Sequence, residues 1–111
     1  MYVVIDDERT FADFPDEDTV YFRTSQDAID FLKAVNWDDV REIWLDHDLG
    51  GDDTAMRVVD FLVEHSFYAC EMYNWDGKIY VHSMNPVGAN NIVRALERYY
   101  AVARTTLPVC V

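Results

Sequence analysis

Cysteine, glycine, proline and basic residues are all scarce in this chain of 111 residues. The two cysteines, Cys70 and Cys110, lie 40 positions apart and lack the short spacing typical of metal-binding pairs. We therefore expect no disulfide framework, and we predict a cytoplasmic protein whose thiols are reduced. Four glycines and three prolines leave little material for long loops, so most of the chain should form regular elements.

Long apolar runs are scarce as well, and we expect no targeting signal. The N-terminal residues read MYVVIDDE and become acidic after five positions, which is not the form of a signal peptide. No apolar run approaches the roughly 20 residues that a membrane-spanning helix needs, so we expect no membrane partner. Half of the residues are hydrophobic and 14% are aromatic, which is enough for one core. The length fits a single domain over residues 1–111.

The chain has few basic residues, nine against 21 acidic ones, and a net charge of −12. Residues 1–54 carry 16 acidic and four basic side chains, whereas residues 55–111 carry five of each, so the excess lies in the N-terminal half. An acidic surface of this kind repels duplex DNA and anionic membranes, and it attracts metal ions or basic protein partners. A solvated face that only aids solubility explains most of these acidic residues equally well.

Short apolar runs alternate with helical patterns along the chain. The runs at 2–5, 20–23, 43–45 and 79–81 are apolar nearly throughout, which is typical of parallel strands buried on both faces. Helical patterns follow the last three runs, and strands joined by helices favour parallel pairing through right-handed crossovers. We therefore predict a small α/β domain with a doubly wound parallel sheet.

Two helices are predicted after the second and third runs. Thr24 has the side chain of a helix cap, and Asp27 stands at the third helical position behind it. For the next helix the cap is either Asp52 or Asp53. Apolar residues then recur with the spacing of a buried helical face through residues 55–63.

The other segments are less regular. Asn85, followed by a proline, opens a third helix whose apolar face we extend to Ala103. The aromatic stretch 66–77 is interpreted as a long connection, and residues 107–111, with the sequence LPVCV, as a fifth strand. Residues 6–19 lack helical periodicity, so the first crossover should be shortened.

Polar residues follow three of the predicted strands, directly where each strand ends. Because ligands of an open parallel sheet bind at the carboxyl ends of its strands, these residues should meet at one rim. Carboxylates gathered there raise one another's pKa unless a cation or a proton lies among them, which indicates a functional site. The rim residues are Asp6, Asp7 and Arg9 after the first strand, Asp46, His47 and Asp48 after the third, and His82, Ser83 and Asn85 after the fourth.

Each of these groups also has an interpretation without chemistry. Asp6 and Asp7 can simply end a strand, and Asp48 can be a loop residue. His82 can be a hydrogen-bonded histidine of the core. All three interpretations holding at once, with the groups meeting at one rim by chance, is much less probable than any single one of them. We therefore predict a functional site there. His65, in the last turn of its helix, is assigned no role.

The segments VVIDDE and IWLDHDLG resemble the receiver domain of response regulators. In that family an acidic pair after the first strand and an aspartate after the third bind a metal and accept a phosphoryl group. Asp6 and Asp7 match the pair, Asp46 matches the acceptor, and Ser83 matches a hydroxyl residue after the fourth strand. The resemblance implies a flavodoxin-like three-layer sandwich. The lysine that receivers carry after the fifth strand has no counterpart here, which disfavours phosphoryl acceptance.

A closer resemblance is to a divergent receiver-like family described as cyclic-phosphate processing. Its hallmarks read here as DDER at 6–9, LDHDLG at 45–50 and HSMNPVGANN at 82–91, in order and over nearly the whole chain. This resemblance implies a receiver-like fold. It further implies a phosphoesterase that hydrolyses a cyclic phosphate, either a small cyclic nucleotide or the cyclic-phosphate end of an RNA.

The residue types at the rim suit such a reaction. Opening a cyclic phosphodiester needs an activated water, a proton for the leaving oxygen, and positive charge near the phosphoryl oxygens. A Mg²⁺ or Mn²⁺ ion would supply charge and relieve the repulsion among the carboxylates, and no organic cofactor is expected. The predicted metal ligands are Asp6, Asp7, Asp46 and Asp48.

Two histidines are candidates for the acid and the base. His47 and His82 can change charge near neutral pH, and neither belongs to the predicted apolar core, so replacing either should leave the chain folded. Asp46 and Ser83 are the other catalytic candidates. The phosphate-binding candidates are Arg9, Asn85 and Gly88, the last two at a helix start whose N–H groups can bind an anion.

Two other classes of function remain open. A non-catalytic pseudo-receiver would keep the fold and bind a basic protein partner through its acidic face. An acidic decoy would mimic nucleic acid and occupy a basic protein. Neither needs carboxylates and histidines gathered at one rim, so a metal titration separates both from the phosphoesterase.

Overall fold

The computed structural model describes residues 1–11, 14, 16–69 and 75–105. Cys70, Cys110 and the strand predicted at 107–111 lie outside these residues. Within them, no helix is long and apolar enough to cross a membrane. The elements in chain order are β1 (Tyr2–Ile5), β2 (Thr19–Phe22), α1 (Ser25–Ala34), β3 (Glu42–Leu45), α2 (Met56–Ala69), β4 (Lys78–Val81), α3 (Pro86–Leu96) and β5 (Ala101–Arg104), with 3-10 turns at Asp16–Asp18 and Trp37–Asp39.

The five strands within the described residues are all parallel and lie in the order β2-β1-β3-β4-β5. This confirms the predicted receiver-like α/β fold. The connections that carry α1, α2 and α3 all step across the sheet in the same direction, so right-handed crossovers place these three helices on one face. The connection from β1 to β2 steps the other way and crosses the opposite face. Among its described residues it contains only a 3-10 turn, as the expected short crossover requires.

The two faces of the sheet therefore have different cores. Alternate strand residues such as Val3 and Ile43 are fully buried against the apolar faces of the three helices. On the other face, Val4 and Trp44 pack with the buried ring of Phe11, which the β1–β2 connection supplies. The smaller aromatic cluster thus holds the β1–β2 connection against the sheet, near the end of β1.

The capping signals for two helices are confirmed. The Thr24 hydroxyl accepts a hydrogen bond from Asp27 N at 3.2 Å and begins α1. The Asn85 side chain accepts from Gly88 N at 3.0 Å and begins α3, with Pro86 in the first turn. These caps act over three residues, so the sequence alone identifies them.

The predicted boundaries of α2 and α3 were wrong. α3 ends at Leu96, and residues 101–104, which include Ala103 of the predicted apolar face, form β5. Apolar residues at 100 and 103 fit a helix period, but 101–104 pair with β4 along its whole length, and this pairing decides their conformation. α2 extends to Ala69, into the stretch 66–77 that we interpreted as a connection.

The predicted cap of α2 was also wrong. α2 begins at Met56, so neither Asp52 nor Asp53 occupies the position before it. Asp53 instead accepts hydrogen bonds from Ser25 N at 2.8 Å and Ser25 Oγ at 2.5 Å, in the first turn of α1. An aspartate can accept from a free N–H group at any helix start that lies beside it, and here the fold brings the first turn of α1, which Thr24 caps, to Asp53.

Candidate functional site

The ends of β1, β3 and β4 lie side by side, and their hydrogen-bond ladder continues one residue beyond each strand. Asp46 N donates to Ile5 O at 2.9 Å, and His82 N donates to Leu45 O at 3.0 Å. Asp6 follows Ile5 directly, so this register brings Asp6, Asp46 and His82 together at one rim of the sheet. Three segments that are far apart in sequence therefore meet where the strands end.

Asp6 is fully buried and accepts four hydrogen bonds. Its Oδ1 accepts from Glu8 N at 3.0 Å and Arg9 N at 2.9 Å, and its Oδ2 accepts from Arg9 Nη1 at 3.1 Å and lies 3.0 Å from His82 Nε2. A carboxylate offers about four lone-pair positions, so all of them are in use. Burial raises the pKa of Asp6, but the bond to His82 and those from Arg9 and Glu8 outweigh it and hold the pKa well below its usual range.

Arg9 links two carboxylates with one nitrogen. Its Nη1 lies 3.1 Å from Asp6 Oδ2 and 3.1 Å from Asp46 Oδ2. The backbone beneath it is held by Arg23, whose Nη1 donates to Asp6 O at 3.1 Å and to Arg9 O at 2.7 Å. Arg23 is not among the site residues predicted from sequence, although a charged residue directly after the apolar run of β2 is a usable signal. Arg9 is thereby anchored at both its backbone and its side chain.

Asp46 has the opposite electrostatic environment to Asp6. Burial and the negative charge of Asp6 raise the pKa of Asp46, and the hydrogen bond with Ser83 and the charges of His82 and Arg9 only partly compensate. Neighbouring carboxyl groups whose pKa values are driven apart are typical of acid–base pairs in active sites. Burial and the charge of Asp6 thus favour the protonated form of Asp46 more than that of Asp6.

His47 and Asp48 form a second pair at the rim. His47 Nδ1 lies 2.9 Å from Asp48 Oδ1, and Asn85 Nδ2 donates to Asp48 Oδ2 at 3.4 Å. The bond with His47 lowers the pKa of Asp48, so Asp48 is a carboxylate that only accepts hydrogen bonds. The proton of a neutral His47 is therefore on Nδ1, and Nε2 is the acceptor. The His47 side chain is 15% exposed, so it is reached from solvent.

Gly88 makes room for the His47 ring. A Cβ at position 88 would lie 2.4 Å from His47 Cγ, so any larger residue displaces the ring. The Gly88 N–H is engaged by the Asn85 side chain that caps α3. Position 88 therefore requires glycine because the His47 ring packs against it. The phosphate-binding role of Asn85 and Gly88 stays a prediction.

His82 lies beneath the rim. Its side chain has no exposed surface, and the ring of Phe11 meets it edge-on at 5.1 Å. Within the described part of the chain, His82 Nδ1 finds no hydrogen-bond partner. A side chain buried in this way can reach a ligand only through its neighbours, here Asp6. The direct catalytic role of His82 stays a prediction, and its hydrogen-bonded burial matches the core interpretation as well.

Three of the four predicted metal ligands come together. One oxygen each from Asp6, Asp7 and Asp46 lies within 4.8 Å of the others, whereas Asp48 is outside this group. The Asp6 oxygens, however, are fully engaged by Arg9, Glu8 and His82. In this arrangement the three carboxylates do not fit a metal ion bound by all of them, because the Arg9 side chain would first have to move away from Asp6. Metal dependence therefore stays a prediction.

The loop between β3 and α2 is held in place by bonds that the sequence did not reveal. Ala55 N donates to His47 O at 2.8 Å, and Leu49 N donates to Asp53 O at 3.0 Å. Asp53 also binds Ser25, as described above. Gly50 has a φ of +89°, in the left-handed region that favours glycine. The loop is thus a tight, anchored support for the His47–Asp48 pair.

Comparison with known proteins identifies the family. A family model described as "Cyclic-phosphate processing Receiver domain" matches residues 1–98, a range that contains β1 to α3 and all the rim residues. Neither the curated proteins nor the solved structures contain a significant match to the chain. The match covers most of the sequence, and the parallel sheet in the order 2-1-3-4-5 agrees with it. The chain therefore belongs to the cyclic-phosphate processing Receiver domain family.

Proposed function

We propose that the protein hydrolyses a cyclic phosphate to a monoester at the rim of the sheet, with His47 as the base. The observation that carries this proposal is the partly exposed His47–Asp48 pair, joined at 2.9 Å, on the same rim as Arg9 and Asp46. The family supplies the class of ligand, a cyclic phosphate. In this proposal His47 is the base, Asp46 the proton donor and Arg9 the positive charge.

His47 activates the water. Its unprotonated Nε2 removes a proton as the water oxygen attacks phosphorus, and Asp48 stabilises the imidazolium that forms. The lowered pKa of Asp48 keeps it negatively charged for this purpose. Asn85, which donates to the other Asp48 oxygen, fixes the direction of the carboxylate.

Asp46 supplies the proton for the leaving oxygen. As the ring P–O bond breaks, the departing alkoxide takes a proton from the Asp46 carboxyl group, whose pKa is raised by burial and by the charge of Asp6. Ser83, hydrogen-bonded to Asp46, orients that group. The proton on His47 then returns to Asp46 through solvent, so the net reaction consumes one water. Arg9, beside Asp46, offsets charge that develops on the phosphoryl oxygens.

The substrate is a small cyclic nucleotide or the end of an RNA. The net charge of −12 repels long anionic molecules, whereas a single phosphate needs only the local positive charge of Arg9. Met84 and Val87, on either side of Asn85, are 73% and 69% exposed. Two apolar side chains at this place offer a surface for the base or ribose of a nucleotide.

The test is an assay with cyclic mononucleotides and RNA that ends in a cyclic phosphate, each with Mg²⁺, with Mn²⁺ and with a chelator. His47→Ala should reduce turnover about 10²- to 10⁴-fold, the usual cost of losing a general base. His65→Ala is the matched control, because His65 stacks on Trp37 in the turn before β3 and takes no part at the rim. Equal losses of turnover in His47→Ala and His65→Ala would contradict the proposal.

A second candidate is a non-catalytic partner-binding domain. It is favoured by one observation: Asp6 and His82 are buried and hydrogen-bonded to each other, which a purely structural role would also produce. This candidate predicts that no substrate of the panel is turned over by folded wild-type protein. Salt-sensitive binding of a basic polypeptide to the acidic N-terminal half would then be its positive test.

A further inference from the structure

We propose that the Arg9 guanidinium is the resident cation of the carboxylate cluster formed by Asp6, Asp7 and Asp46, in the place that a divalent metal takes in receiver domains. Arginine and metal then exclude each other at this cluster. The inference concerns what the cluster binds and goes beyond the proposed hydrolysis.

The first argument is geometric. Arg9 Nη1 lies 3.1 Å from a carboxylate oxygen of Asp6 and 3.1 Å from one of Asp46, so a single positively charged group already bridges two of the three acids. The same Asp6 oxygen also lies 3.0 Å from His82 Nε2, and the other Asp6 oxygen accepts two backbone N–H groups. A metal ion needs an open lone pair on each ligand, and Asp6 has none while Arg9 is in place.

The second argument is how firmly Arg9 is held. Its own N–H binds Asp6 Oδ1 at 2.9 Å, and its carbonyl accepts from Arg23 at 2.7 Å. Its side chain is only 20% exposed. A guanidinium stays protonated throughout the physiological pH range, and an intramolecular charge has a high effective concentration against a dissolved ion. Cellular concentrations of a free divalent cation therefore do not displace it.

The third argument is chemical consistency. A guanidinium neutralises charge but does not lower the pKa of a bound water as a metal does. With Arg9 as the cation, the water must be activated by a base, and the rim provides His47 with its Asp48 partner. Of the three arguments, only this third one rests on the proposed function.

The test measures Mn²⁺ binding by electron paramagnetic resonance of the free ion, without substrate. Arg9→Gln should bind Mn²⁺ at least about tenfold more tightly than wild type, because the competing charge is gone. Arg9→Lys, which keeps the charge, should resemble wild type. Arg98→Gln is the matched control: it removes the same charge from an exposed position after α3 and should leave Mn²⁺ binding unchanged. Adding Asp7→Asn to Arg9→Gln should abolish the gained binding.

Two results would overturn the inference. One is a wild-type protein that binds Mn²⁺ with a micromolar Kd at a site lost in Asp7→Asn, a measurement that does not depend on whether any Arg9 variant folds. The other is a folded Arg9→Gln protein, verified by circular dichroism, that binds Mn²⁺ no more tightly than wild type. Since no turnover is measured, failure of the hydrolysis proposal leaves this test intact.

Discussion

His82 Nε2 lies 3.0 Å from Asp6 Oδ2, and neither side chain has any surface exposed to solvent. Since the pKa of Asp6 is well below its usual range, Asp6 is a carboxylate and the shared proton belongs to His82 Nε2. Asp6 in turn holds Arg9, which reaches Asp46. His82 is thus the buried end of a chain of hydrogen bonds whose other end lies at the rim.

The depressed pKa of Asp6 predicts acid sensitivity. A carboxylate whose pKa is lower in the folded state than in the unfolded chain contributes stability above its unfolded pKa, and this contribution is lost as the pH falls. The free energy of unfolding of wild type should therefore decrease steeply below about pH 4. Asp6→Asn should be less stable at neutral pH and show a flatter decrease.

Urea denaturation between pH 2.5 and 7 measures this difference. Asp60→Asn is the control, because Asp60 is an exposed carboxylate on α2, and its curve should run parallel to that of wild type. If the free energy of unfolding of Asp6→Asn falls as steeply at low pH as that of wild type, Asp6 is not the cause of the acid sensitivity.

The two rim histidines should differ in their effect on stability. His82→Ala removes a buried ring and leaves Asp6 without one of its donors, so we expect a loss of about 3 kcal/mol. His47→Ala removes a partly exposed ring and should cost less than about 1 kcal/mol. The sequence predicts only that both variants stay folded, and the burial of His82 adds the expectation that His82→Ala is the less stable of the two. Similar urea midpoints for the two variants would contradict the burial of His82.

Gly88→Ala tests the support of His47. Alanine usually stabilises a helix relative to glycine by about 1 kcal/mol, but a Cβ here would lie 2.4 Å from His47 Cγ. We expect turnover to fall nearly as far as in His47→Ala, with no gain in melting temperature. Gly51→Ala is the control, because a Cβ there meets no atom within 4 Å and its φ of +54° costs only backbone strain, about 1 kcal/mol. Full activity of folded Gly88→Ala would refute the contact.

Met84 and Val87 are expected to set substrate affinity. Replacing both with serine should raise KM for a cyclic nucleotide about tenfold and leave kcat within about twofold, because apolar contacts with the base do not change in the transition state. Phe67→Ser, at an exposed apolar position on α2, should change neither constant. A fall in kcat without a change in KM would assign these residues another role.

The sequence by itself determined the parallel α/β fold and the rim at which the polar residues meet. Apolar runs, helical periodicity and the caps at Thr24 and Asn85 each involve only a few neighbouring residues, so each can be recognised in the sequence. The topology rules then bring the ends of β1, β3 and β4 together, and the hydrogen-bond ladder beyond these strands agrees with them.

Only the tertiary structure decided which partner each polar group has. Arg9 and Asp46 are 37 positions apart, and the bond between them depends on the register of β1 against β3 and on the path of the turn that Arg23 holds. Asp53 binds Ser25 in the first turn of α1, which Thr24 caps, and does not cap the helix that follows it, because the loop after β3 folds over the start of α1. Burial of His82 likewise depends on Phe11, which arrives from another segment. Local patterns specify the elements, whereas contacts between distant segments specify the chemistry.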